Sequence, residues 1–61
     1  MPVVTIEWFP GRNRDQKTRI AEVVTEVLVE QAGVPANDVW IRFIDLPASQ
    51  WAQGGALQGD D

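Results

Sequence analysis

The chain has 61 residues, 44% of them apolar and 23% charged, with five basic and nine acidic side chains and a net charge of −4. That is a folded composition for one domain spanning 1–61, and it leaves too few cations for nucleic acid or an anionic membrane surface. Cys, His and Tyr are absent, which excludes disulfides, thiolate or imidazole metal sites and every Cys–His or Ser–His nucleophile pair.

Residues 2–9, Pro-Val-Val-Thr-Ile-Glu-Trp-Phe, are β-branched and aromatic and predict a strand. Val4, Ile6 and Trp8 fall on one face; Val3, Thr5, Glu7 and Phe9 fall on the other. Pro10-Gly11 ends it. A helix is predicted from Arg14 to Ala32, with Asn13 as N-cap, Gln16 completing a capping box, and Asp15 favoured by the helix dipole. Ile20, Val23, Val24, Val27 and Leu28 make one apolar stripe, while Arg19, Glu22, Glu26 and Glu30 lie on a solvated face. Gly33 stops the helix and Pro35 follows. Residues 39–45, Val-Trp-Ile-Arg-Phe-Ile-Asp, predict a second strand, parallel to the first because the crossover is long. The tail holds Trp51 and Gly54-Gly55, a turn signal for a short hairpin, and ends on a frayed Asp60-Asp61. The fold class expected is α+β, a β-α-β unit with a C-terminal hairpin.

One helix covers one face of a two-stranded sheet. The other face, with its large side chains, needs a cover, and a chain this short is marginal alone. A second copy is the simplest cover, so oligomerisation is expected. Three Trp in so short a chain fit interfaces and pockets. No apolar run approaches the roughly 20 residues of a membrane span, and no basic start precedes an apolar stretch. A cytoplasmic protein is expected.

The catalytic inventory is nearly empty, and position 2 stands out. Removal of Met1, usual before a small residue such as Pro, makes Pro2 an N-terminal secondary amine. An α-amino group titrates at about 7.7–8, and burial or a nearby cation lowers that further. Such an amine is a general base at neutral pH without any imidazole. Arg12, just past the first strand, is a cation at hand.

The opening Pro2-Val-Val-Thr-Ile-Glu-Trp-Phe-Pro-Gly-Arg12, then Asp15-Gln16-Lys17 and a helix, then Pro35, Val39, Trp51 and Gly54-Gly55, resembles the short-subunit 4-oxalocrotonate tautomerase family. The resemblance covers almost the whole chain. It implies an isomerase that catalyses keto–enol proton transfer on a small anionic 2-hydroxydienoate or 2-oxo acid, in aromatic compound catabolism, with no cofactor and no metal. Pro2 is then the general base. Arg12 binds the distal carboxylate and draws electrons. Trp51, where the family usually has Phe, keeps the pocket apolar. Family active sites lie between subunits of a hexamer built as a trimer of dimers, here a homohexamer or a heterohexamer.

One position departs from the family pattern. Trp40 stands where a second arginine usually binds the substrate's 1-carboxylate end. Arg42, two residues on and on the same face, is the candidate to take over that role; a structural pair with Glu7 or Asp45 is its other reading. The substitution leaves two alternatives to a self-sufficient tautomerase. One is a partner subunit of a hetero-oligomer whose own site is incomplete. The other is a hydratase-like or 3-oxo acid decarboxylase-like member of the superfamily. Gln53 offers only an amide where hydration needs a carboxylate base. Asp38 resembles the decarboxylase carboxylate, and a turn residue is its bland alternative.

Overall fold

The computed structural model describes residues 1–59. Strand β1, Val3–Trp8, pairs in parallel with β2, Trp40–Asp45, and the helix α1, Arg14–Ala32, connects them. The register sets Val3 opposite Trp40, Thr5 opposite Arg42 and Trp8 opposite Asp45. A short antiparallel hairpin follows, β3 (Ala52–Gln53) with β4 (Ala56–Leu57). The β-α-β unit and the hairpin are those the sequence predicts. The frayed Asp60-Asp61 expected from the sequence lies outside the described residues.

The helix starts and stops for local reasons. The Asn13 side chain accepts from the Gln16 amide at 2.8 Å, and the Gln16 side chain accepts from the Asn13 amide at 2.9 Å. This satisfies two of the orphan donors at the helix start. At the other end Gly33 takes φ 68, a left-handed conformation that costs other residues more, and its amide returns to the Val29 carbonyl at 3.2 Å. At the hairpin tip Gly54 and Gly55 have φ of 61 and 86, as a two-residue turn between twisted strands requires.

Val4, Ile6, Trp8, Ile41 and Phe43 are half-buried on the side of the sheet that α1 covers, as are Ile20, Val24 and Leu28 of the helix. Val23 and Val27, expected in the same apolar stripe, are 41% and 51% exposed. The stripe is wider than a two-stranded sheet can cover, so its flank faces outward. Among the described residues none is fully buried. The radius of gyration is 14.7 Å, against about 10–11 Å for a compact chain of this length. The accessible surface is 4714 Å², against about 4000 Å² for a compact monomer of this mass. The chain is a flat, open unit whose apolar residues lack the enclosure they would have in a closed core. Among the described residues no helix is long and apolar enough to cross a membrane.

Candidate active site

The predicted site residues fall at two ends of one sheet. Pro2 precedes β1, and its carbonyl accepts from the Trp40 amide at 3.0 Å, so Pro2 and Trp40 are neighbours at the start of the two strands. Met1 ahead of it is 75% exposed and Trp40 is 59% exposed. Arg42 sits mid-strand opposite Thr5, on the same outer face as Trp40. Among the described residues Arg42 makes no ion pair. The pairing with Glu7 or Asp45 that the sequence suggests is not formed. Asp45 is an odd number of residues away, hence on the other face, and its carboxylate is already engaged.

Arg12 and Trp51 gather at the opposite end. The Arg12 guanidinium carbon lies 4.6 Å from the centre of the Trp8 ring, and its Nη1 donates to the Phe9 carbonyl at 2.8 Å. No carboxylate among the described residues pairs with it. Trp51 packs on Phe9 with ring centres 5.4 Å apart, and its indole N–H donates to the Leu46 carbonyl at 3.1 Å. The Trp51 amide bonds to the Ala48 carbonyl at 3.1 Å and its own carbonyl accepts from the Gln58 amide at 2.9 Å, so the turn before the hairpin and the segment after it hold the Trp51 backbone.

Sequence reasoning did not find the array beneath Arg12. Trp8 stacks on Phe43 at 5.5 Å between ring centres, and its indole N–H donates to Asp45. The other Asp45 oxygen accepts from Lys17 Nζ at 3.0 Å. Lys17, and then Trp8, hold the Asp45 carboxyl below the usual carboxylate range. The signal was present in part. Trp8 and Phe43 were assigned to definite faces, but only the strand register shows that the two faces are the same and that Trp8 meets Asp45.

About 20 Å of strand separates Pro2 from the Trp8 ring that carries Arg12, at about 3.3 Å per residue. Within one chain the two cannot touch one small substrate. Two surface depressions run along α1 instead. One is lined by Ala21, Thr25, Val29 and Ala36 with Glu22 and Glu26, the other by Arg14, Lys17, Thr18, Ala21 and Phe43; neither includes a predicted site residue. Asp38 closes a single 3-10 turn before β2, its amide bonded to the Pro35 carbonyl at 3.0 Å.

Comparison with known proteins agrees with this architecture. The Tautomerase family, described as tautomerase enzymes, matches residues 2–61. A probable tautomerase of Lactococcus lactis is 40% identical over 58 residues, covering 95% of each chain. The 2-hydroxymuconate tautomerase of Comamonas testosteroni is 36% identical over 55 residues, 90% of this chain and 87% of that one. A crystal structure of a 4-oxalocrotonate tautomerase homologue superposes with a TM-score of 0.86 at 28% identity, over 100% of this chain and 97% of the other. With its β-α-β unit, its terminal hairpin and a family match over residues 2–61, this chain belongs to the tautomerase family.

Proposed function

We propose that the chain is an isomerase that moves a proton between oxygen and carbon of a small anionic 2-hydroxydienoate or 2-oxo acid. The Pro2 amine is the base once Met1 has been removed. Its lone pair takes the enol hydroxyl proton, the C–O bond becomes a carbonyl, and the double bond shifts along the chain. The ammonium then returns the proton to carbon, so the amine is regenerated. Arg12 binds the distal carboxylate through its guanidinium edge and draws electron density toward it. Trp51 walls the site with apolar surface, which disfavours the ammonium form of the base. Trp40 lines the end of the substrate next to Pro2, and Arg42 is the nearest cation on that face.

The observation that carries this reading is the split of the machinery. The proline end has only Arg42, mid-strand, as a cation and lies a strand's length from Arg12, and the arginine end lacks the amine base. A second copy, turned so that its arginine end meets the first copy's proline end, completes the site. The same arrangement covers the exposed Val3 and Trp40. The assembly proposed is a hexamer of three dimers. The exposed indole at position 40 also favours a second reading, a subunit that works only with a different partner chain supplying a cation there.

Intact mass first establishes that Met1 is gone. Acetylation of the freed Pro2 amine should then cut turnover of a 2-hydroxydienoate by about 10²–10⁴, the usual worth of a positioned base. Acetylated protein with normal turnover would show that Pro2 is not the base. Processed protein that is inactive alone but active with a second chain would favour the partner-subunit reading.

A further inference from the structure

We infer that Trp8 is a positioning residue for Arg12: the indole is the platform on which the guanidinium rests, and the Lys17–Asp45 pair locks that platform. The inference rests on the proposed carboxylate-binding role of Arg12 for its catalytic consequence, and on geometry alone for its structural content.

Arg12 follows Pro10-Gly11 in a loop and is exposed. A long side chain at such a place would ordinarily sample many rotamers, and each one frozen on binding weakens affinity. Two contacts hold it before any substrate arrives. The Phe9 carbonyl takes one N–H, at 2.8 Å from Nη1, and the Trp8 ring lies 4.6 Å beneath the guanidinium carbon. The first contact tethers one nitrogen but leaves the plane free to swing. The second gives the cation a ring face to rest on. A cation over an aromatic face uses the face of the guanidinium and leaves the remaining N–H edge for a carboxylate.

A platform is useful only if it is itself fixed. The Trp8 indole N–H donates to one Asp45 oxygen, and Lys17 Nζ donates to the other at 3.0 Å. Phe43 stacks on the indole at 5.5 Å between ring centres. Trp8 is thus held by β2 and by the first turns of α1 together. Arg12 feels the Asp45 charge through space but forms no ion pair with it, so the guanidinium edge stays open to an anion from outside. The carboxylate would also serve a Trp that only packs; the guanidinium over the ring face is what packing alone does not require.

The test is a double-mutant cycle on the processed protein, with steady-state kinetics on a 2-hydroxydienedioate and the Arg12 side-chain Nε–H resonance as a second readout. Trp8→Leu should raise KM about fivefold, the scale of one exposed cation–aromatic contact, with kcat changed less than about twofold. Trp8→Phe keeps a ring and should recover much of that loss. Arg12→Ala should raise KM further, and Trp8→Leu added to it should do no additional harm. The Arg12 resonance should lie upfield in the parent and move downfield in Trp8→Leu. Losses that multiply in the double variant, or a Trp8→Leu protein with parental KM, would overturn the inference. If Arg12→Ala leaves KM unchanged, the carboxylate-binding reading fails instead. The resonance then decides alone: no shift in Trp8→Leu and Trp8→Phe means that the indole does not position Arg12.

Discussion

The two ends of the sheet are built in opposite ways. At the arginine end Trp8, Phe9, Arg12, Lys17, Phe43, Asp45 and Trp51 are tied together by ring stacking, side-chain hydrogen bonds and an ion pair drawn from both strands, the helix and the segment before the hairpin. At the proline end one backbone hydrogen bond joins Pro2 to Trp40, and Met1, Val3 and Trp40 around it are more than half exposed. A single chain therefore organises its arginine end by itself and leaves its proline end open. Preorganised charge needs rigid neighbours. An amine that must stay unprotonated needs apolar cover, and the chain provides little of it there.

The sharpest way to break this contrast is to divide the two ends between different chains. Protein acetylated at Pro2 should be nearly inactive, and protein carrying Arg12→Ala should turn over slowly at substrate concentrations well below its raised KM. Co-refolded in equal amounts, they should recover activity at about a quarter of their sites, the fraction that random mixing in a symmetric oligomer gives when each site draws one end from each of two copies. A mixture no more active than its components would mean that each site comes from one chain.

A smaller effect is expected from acid. Lys17 and Trp8 lower the pKa of Asp45 in the folded chain. Its contribution to stability is therefore complete above the unfolded carboxyl value and is lost as pH falls through the folded one. Below about pH 4 the platform under Arg12 should loosen before the rest of the sheet. The Trp8 indole N–H resonance, followed in an acid titration, should shift there, and Asp45→Asn should abolish that step. The smallest effect concerns Asn13, which begins the helix directly after Arg12. Asn13→Ala removes the side-chain oxygen that accepts from the Gln16 amide, leaving only the reciprocal bond from the backbone of residue 13, and should lower stability by about 1 kcal/mol in urea unfolding. It should leave the proline end untouched.

Much of this was legible in the residues. Helix limits followed from Asn13, Gln16 and Gly33, because caps are local chemistry. Both strands followed from β-branched runs, and the hairpin from two consecutive glycines. That Val4, Ile6 and Trp8 share one face followed from strand alternation; that this face is the one turned to the helix did not. The partner of Asp45 did not, because it depends on the register between strands thirty-odd residues apart and on the reach of Lys17 across the sheet. Val23 and Val27 were placed on the inner stripe because periodicity gives a direction but not the width of the surface that waits for it. The separation of Pro2 from Arg12 was implicit in the length of the first strand, ahead of any coordinates.

With no residue fully buried among those described, ordinary expectations about mutational tolerance invert. In a compact protein, a residue half open to solvent accepts most replacements. Here Val3, Val27, Trp40 and Leu57, exposed by 51%, 51%, 59% and 70%, are after Met1 the most exposed large apolar side chains among the described residues. A library of charged replacements should be depleted at those four positions as severely as in another protein's core. Glu22, Glu26 and Glu30 should accept nearly anything, and the accessible surface of one chain would be a poor map of which is which.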